Sequence, residues 1–372
     1  MAERQTDDTA TMSKLNRRSY LALAGAAGVA AGTAGLLGGS TGSASADRQT
    51  VDLGAEGLQD GDAIDDYLAE HFDNGTAVHI PPGSYEWNGE GLDGDYENAA
   101  LIGDGKPGAV ELNFPEGEHR YNAVRAQAGE VRLENFQIRG ATGGEEAKLR
   151  AEARGEDATM VLDKIWLPDG VEDGADGVGI YVGAEHAGTI RIVDCWVQNF
   201  SDNGLYASGP GADFDDAENG KVIVEGGLFR NNNISNVRIG TDGAEVRNVA
   251  MVHDGQSPPN DGVYNQRNLR IRQPGQNMVV DSCDIYHSID HSQPIDLSEE
   301  FSGGEAVIKN TRVLTNSDSP VANEHGGDYL LKNVHLKGDG NHEIAVETEN
   351  VVEGSNAQKA TPAAQNPVGD RS

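Results

Sequence analysis

Six of the chain's 19 arginines, Arg230, Arg238, Arg247, Arg267, Arg270 and Arg272, fall between positions 230 and 272, where even spreading over the whole length puts about two. A guanidinium forks onto a carboxylate or sulfate, so such a run either receives acidic groups or neutralises the acids around it. Shortly afterwards comes His287-Ser-Ile-Asp290-His291, the densest titratable cluster in the chain. Histidine beside a carboxylate suits proton transfer near neutral pH, and the same letters also make a polar turn. No spacing in the cluster is specific for zinc, and none is expected.

The elements that position these groups are read from a repeat. A hexamer recurs eight times, starting at Leu133, Leu162, Ile192, Val224, Val246, Val280, Ile308 and Leu331. Its first, fourth and sixth places are mostly apolar, and its third place is Asn, Asp, Ser, Gly or Lys. The pattern predicts two short strands meeting at a corner: alternation turns the fourth and sixth side chains inward, and a small polar residue tolerates the bend. Starts lie 22 to 34 residues apart, the period of a solenoid and not of an antiparallel sheet. A second strand follows thirteen residues after four of these starts, at Leu205–Ala207, Val237–Ile239, Val321–Asn323 and Ile344–Val346. Ile180–Val182 and Ile295–Leu297 match with longer loops, and Leu269–Ile271 supplies the same strand to the fifth coil. The expected fold class is all-β, a right-handed parallel β-helix.

On that second strand the outward places read Tyr181, Tyr206, Arg238, Arg270, Asp296 and Ala322. Aromatic rings stack on sugar faces and guanidiniums grip acidic groups, so the ladder predicts a groove for an acidic polysaccharide. Loops beside it add Asp202, Asn203, His287, Asp290, His291 and Glu324. Cys195 and Cys283 both occupy the inward fourth place, three coils or roughly 14 Å apart, beyond the reach of a disulfide. Each is expected as a free buried thiol.

From about Leu101 to Val352 the chain resembles pectate-lyase-like β-helix proteins. Pectate lyases of this shape use calcium held by carboxylates and an arginine or lysine base, and calcium is the one cofactor the resemblance implies. Asn232-Asn233-Ile234-Ser235-Asn236-Val237-Arg238-Ile239 resembles the polygalacturonase coil ending in an Arg-Ile strand, which implies that Arg238 binds a uronate carboxylate. Ser201-Asp202-Asn203-Gly204 stands where that family carries a Gly-His-Gly coil, and its aspartate pair is absent. A lyase acting on a uronate-containing polysaccharide is therefore the expected activity. Arg238, Arg270, His291 and Asp296 are its catalytic candidates, and Tyr181, Tyr206, Asp202, Asn203, His287, Asp290 and Glu324 its substrate contacts. A glycoside hydrolase and a non-catalytic glycan-binding surface or matrix protein are the alternatives. Asp202 and Asp296, the best carboxyl pair, lie roughly 14 Å apart, too far for either glycosidase geometry.

The ends carry an address and a cap. Asn16-Arg17-Arg18-Ser19-Tyr20-Leu21, an uncharged run from Leu21 to Leu37 and Ala44-Ser45-Ala46 resemble a twin-arginine export signal occupying residues 1–46. The run is too Gly-rich for a good membrane span, and no lasting membrane anchor is expected. Residues 47–100 are read as a cap, with a short helix after Asp60-Gly-Asp62 turning Ile64, Tyr67, Leu68 and Phe72 to one side. Residues 101–352 form the β-helix, and a disordered tail runs from 353 to 372. A net charge of −33 with nine lysines reads as adaptation to strong brine and not as a signal about the ligand; no nucleic-acid partner is expected. An extracellular or cell-surface location follows.

Overall fold

The computed structural model describes residues 48–115, 123–144, 147–212, 216–289, 292–297, 303–323, 325–338 and 344–360. Among them the architecture is an all-β parallel solenoid, with strands organised as a long sheet and a nine-strand sheet. One coil shows how it is made. Thr189–Val193 and Trp196–Gln198 belong to the long sheet and Asn203–Ala207 to the nine-strand sheet. Each strand pairs in parallel with its counterparts in the neighbouring coils.

The hexamer is the repeating corner. Its first residues stack in one unbroken register, Leu133, Leu162, Ile192, Val224, Val246, Val280, Ile308 and Leu331. The third residue of all eight has positive φ, from 48° at Asp194 to 68° at Gly226. This left-handed bend turns the chain through the corner, and Asn, Asp and Gly reach it at the lowest cost. That explains the composition of the third place; Lys164 and Ser282 are the two that bend against their preference. The column is buried throughout, each Ile or Leu contributing about 1.5–3 kcal/mol. Cys195 and Cys283 sit in it as free thiols, and burial pushes both up to about 12.

The register extends upstream of Leu101: Val51 pairs with Val78, Val78 with Leu101 and Leu101 with Leu133. Residues from Gln49 onward thus contribute strands to the same ladder, with the helix Asp65–His71 interposed. Ile64, Leu68 and Phe72 are buried, as their spacing predicts. The helix starts later than the Asp60-Gly-Asp62 reading: Ile64 is its N-cap, without a side-chain cap. Asp65 instead accepts hydrogen bonds from the backbone of Asn88 (3.0 Å) and Glu90 (3.0 Å). At the other end, residues 354–360 lack periodicity yet pack on the column. Gln358 donates its backbone N–H to His335 Nδ1 at 3.1 Å, and Lys359 lies over the Tyr286 ring. The twin-arginine segment and residues 361–372 lie outside the described residues.

Candidate functional site

The outer face of the nine-strand sheet carries a polar ladder. Its register runs Arg150, Tyr181, Tyr206, Arg238, Arg270, Asp296 and Ala322, each directly opposite the next. Alternation explains the placement: Leu205, Ala207, Val237, Ile239, Leu269 and Ile271 fill the column, and the residues between them are turned out. The six outward residues expected from sequence therefore line up as one strip. Arg150 was missed because its coil has no strand at the thirteen-residue offset. Its signal is nevertheless plain in Ala147-Lys-Leu-Arg-Ala-Glu-Ala153, where small or apolar residues alternate strictly with charged ones.

Turned out does not mean exposed. Arg238 is 3 % exposed, Arg270 and Asp296 are 0 % exposed, and Tyr181, Tyr206 and Arg150 are buried as well. An open groove was expected, so this is a correction. A side chain outside the apolar column is here enclosed by polar neighbours and not by water.

The partners divide the strip. At its N-terminal end the arginines are matched to acids. Arg150 forks onto Glu152, Arg154 joins the same carboxylate at 2.8 Å, and Arg154 also pairs with Glu185. Gly183, opposite Glu152, has no room for a side chain: a Cβ would stand 2.0 Å from Glu152 Oε2. Lys148, on the same strand face, donates to the Gly140 carbonyl at 2.8 Å and lies over Phe114; burial pulls its ammonium down to about 8. Next come the two tyrosines, edge to face with centroids 5.2 Å apart.

Arg238 differs from every other member. Its Nε donates to Ser208 Oγ at 2.7 Å and an Nη to Tyr206 Oη at 3.0 Å, and its guanidinium stacks 3.9 Å above the Tyr206 ring. All three contacts are with neutral groups. Burial raises the Tyr206 phenol, against the lowering pull of Arg238, so the phenol stays protonated at neutral pH. Beyond Arg238, Asp296 holds Arg267 at 2.6 Å and Arg270 at 3.7 Å. That ion contact engages Asp296, which the register puts three strand steps from the strand following Asp202, roughly 14 Å along the axis. Arg230 forks onto Asp254, and Arg247 pairs with Glu245 and Asp281, all away from this strip. Four of the six arginines of the cluster, Arg230, Arg247, Arg267 and Arg270, are thus partners of local acids.

Two substrate contacts expected from sequence turn inward instead. His287 is 0 % exposed and continues the inward alternation of Cys283 and Ile285. Its Nδ1 meets Asn268 Oδ1 at 2.7 Å, and its ring stands edge-on to His253. Asn203 shares the inward side of its strand with Leu205, and its Oδ1 accepts from the hydroxyl of Ser235, its register partner in the next coil. Asp202 is buried beside it and accepts the Asn203 backbone N–H at 2.7 Å. Asp290, His291 and Glu324 lie outside the described residues.

Among the described residues no three His, Cys, Asp or Glu side chains converge as metal ligands. No helix among them is long and apolar enough to cross a membrane. A separate cleft of about 750 Å³ opens near the C-terminal end, lined by groups including Asn323, Tyr329, Ile344 and Glu347. It has acidic but no basic lining residues, which suits an acidic ligand poorly. Comparison of the chain with protein-family models and with curated proteins finds no match.

Proposed function

We propose that the outer face of the nine-strand sheet binds an acidic, uronate-containing polysaccharide, and that the chain is a secreted lyase of pectate-lyase-like type from a salt-adapted cell. The observation that carries this reading is Arg238, a buried guanidinium whose neighbours are two hydroxyl oxygens and an aromatic ring. A cation held away from water by neutral groups has much to gain from a carboxylate. The adjoining Tyr181–Tyr206 pair offers ring surface to the flanking sugars. Because the strip is enclosed, part of its cover must move aside before a polymer reaches Arg238.

Elimination from a uronate needs its carboxylate charge neutralised, a base at the neighbouring carbon and a proton for the leaving oxygen. Arg238 serves the first need with Arg270 beside it, and His291 is the proposed base. Glycoside hydrolysis is the weaker reading, since Asp296 is engaged by Arg267 and sits far from Asp202. An ultraviolet assay for the unsaturated uronate, run on polygalacturonate in molar salt, tests the proposal. Wild-type protein is expected to generate the absorbance and Arg238→Ala to lose it. Binding without absorbance in the wild type would leave the non-catalytic glycan-binding protein as the reading.

A further inference from the structure

Tyr264 is the one large hydrophobic residue that stands exposed among the described residues, at 39 %. A lone exposed aromatic is ordinary on a protein surface. What distinguishes this one is the loop that presents it. Residues 254–266 connect the long-sheet strand Ala250–His253 to the nine-strand-sheet strand Arg267–Ile271, which carries Arg270. Loops of this length are ordinarily mobile, yet this one is fastened at its tip, its middle and its foot.

The tip is a tight hairpin. Asn260 and Val263 exchange both backbone hydrogen bonds, at 3.0 and 2.8 Å, around Asp261 and Gly262 with φ of 47° and 78°. Positive φ at both central residues is the two-residue turn that an Asp-Gly pair favours. Asn260 also donates its side-chain amide to Asp176 Oδ1 at 3.2 Å. Asp176 precedes the strand Val178–Tyr181, three coils back, so the loop reaches along the edge of the strip over a span of roughly 14 Å. At the foot, the Gln266 amide donates to the Gly255 carbonyl and to Ser257 Oγ.

The middle fastening brackets Tyr264 itself. The fully buried Asn233 side chain donates to the Val263 carbonyl and accepts from the Asn265 N–H, both at 2.8 Å. One amide thus fixes the backbone on either side of the exposed ring. Asn233 lies two residues before the strand Ser235–Ile239, which carries Arg238. Core packing does not call for such bracing, because the ring it fixes is not in the core. Bracing does reduce the ordering cost when a ligand settles on the ring.

We propose that the loop 254–266 is a fixed side wall of the strip and that Tyr264 is a stacking platform for one pyranose ring of a glycan chain. This inference rests on the reading that the strip binds a polysaccharide, but not on the polymer's being acidic. Asn233 is a positioning residue, acting through the loop backbone. The ring's apolar face, and not its hydroxyl, makes the contact.

The test measures binding of purified full-length chain to polygalacturonate and to neutral galactan in molar salt, beside free galacturonate. Tyr264→Ala is expected to weaken polymer binding by roughly three- to tenfold with an unchanged melting temperature, whereas Tyr264→Phe and Tyr264→Trp bind as wild type. Asn233→Ala is expected to weaken the polymer in the same way. Free galacturonate, held by Arg238, should be unaffected by Tyr264→Ala and weakened by Arg238→Ala. Binding of galactan and not of polygalacturonate, weakened by Tyr264→Ala, would support the platform while refuting an acidic ligand. Polymer binding equal to wild type in Tyr264→Ala would overturn the platform alone, and wild-type protein that holds neither polymer would overturn both.

Discussion

Arg238 can be removed without leaving a buried charge behind. Its partners are Ser208, Tyr206 and the Tyr206 ring, so Arg238→Ala takes one donor from each of two hydroxyl groups and from no carboxylate. Its effect on ligand is expected to exceed its effect on folding: a charge-assisted fork is worth about 1.5–3 kcal/mol, or roughly ten- to hundredfold in affinity. Arg238→Lys keeps the charge and loses the planar fork, and should recover only part of that affinity in a calorimetric titration. A second buried group makes a pH prediction. His186 accepts the Ala153 N–H on Nδ1 at 3.0 Å and donates from Nε2 to the Lys221 carbonyl at 3.1 Å, joining successive coils as a neutral ring. Burial lowers its folded pKa below 6.5. Its contribution is therefore complete above pH 6.5 and declines as pH falls from there towards the depressed folded value, because the unfolded chain takes up the proton first. Denaturant midpoints measured between pH 7.5 and 5 should fall for wild type, with a slope of at most about 1.4 kcal/mol per pH unit from this group. His186→Gln should flatten that decline; an identical decline would assign it to other groups.

The elements explain why neighbouring residues differ so sharply in consequence. Val237 and Arg238 are adjacent, but Val237 lies between Leu205 and Leu269 in the column and Arg238 between Tyr206 and Arg270 on the strip. Val237→Asp buries a carboxylate with no partner and should cost about 4 kcal/mol or more. Because each coil covers its neighbours, the loss should appear as opening of adjacent coils to protease and not only as a shifted midpoint. Retention of wild-type protease resistance would contradict the assigned register. The same alternation accounts for His287, whose place two residues after Ile285 makes it a corner residue of the interior. Parity in the sequence already contained that answer; the density of titratable letters around it pointed elsewhere.

At the scale of the whole molecule, the acidity bears on the proposed address. A chain of net charge −33 repels itself at low ionic strength and is screened to within about 3 Å at 1 M salt. If it folds in a salty cytoplasm it must leave already folded, which is the task of the twin-arginine route proposed for residues 1–46. Arg17→Lys with Arg18→Lys should then leave the chain inside the cell, as followed by immunoblot of cell and medium fractions. Unchanged export would reject the signal. The sequence by itself determined the coil, since a solenoid's contacts repeat at short range: one hexamer, one left-handed corner and one alternation specify the corner strands from Leu133 to Leu336 and the second strands from Ile180 onward, while Ala147–Ala153 falls outside the offset. It also determined which side of the second strand Tyr181, Tyr206, Arg238, Arg270 and Asp296 occupy. Only the tertiary structure decided that these side chains are enclosed, that Asp296 is engaged by Arg267 while Arg238 faces neutral groups, and that Asn233 braces Tyr264. Those outcomes depend on irregular loops of differing length reaching across coils, and no local period in the chain encodes where such a loop comes to rest.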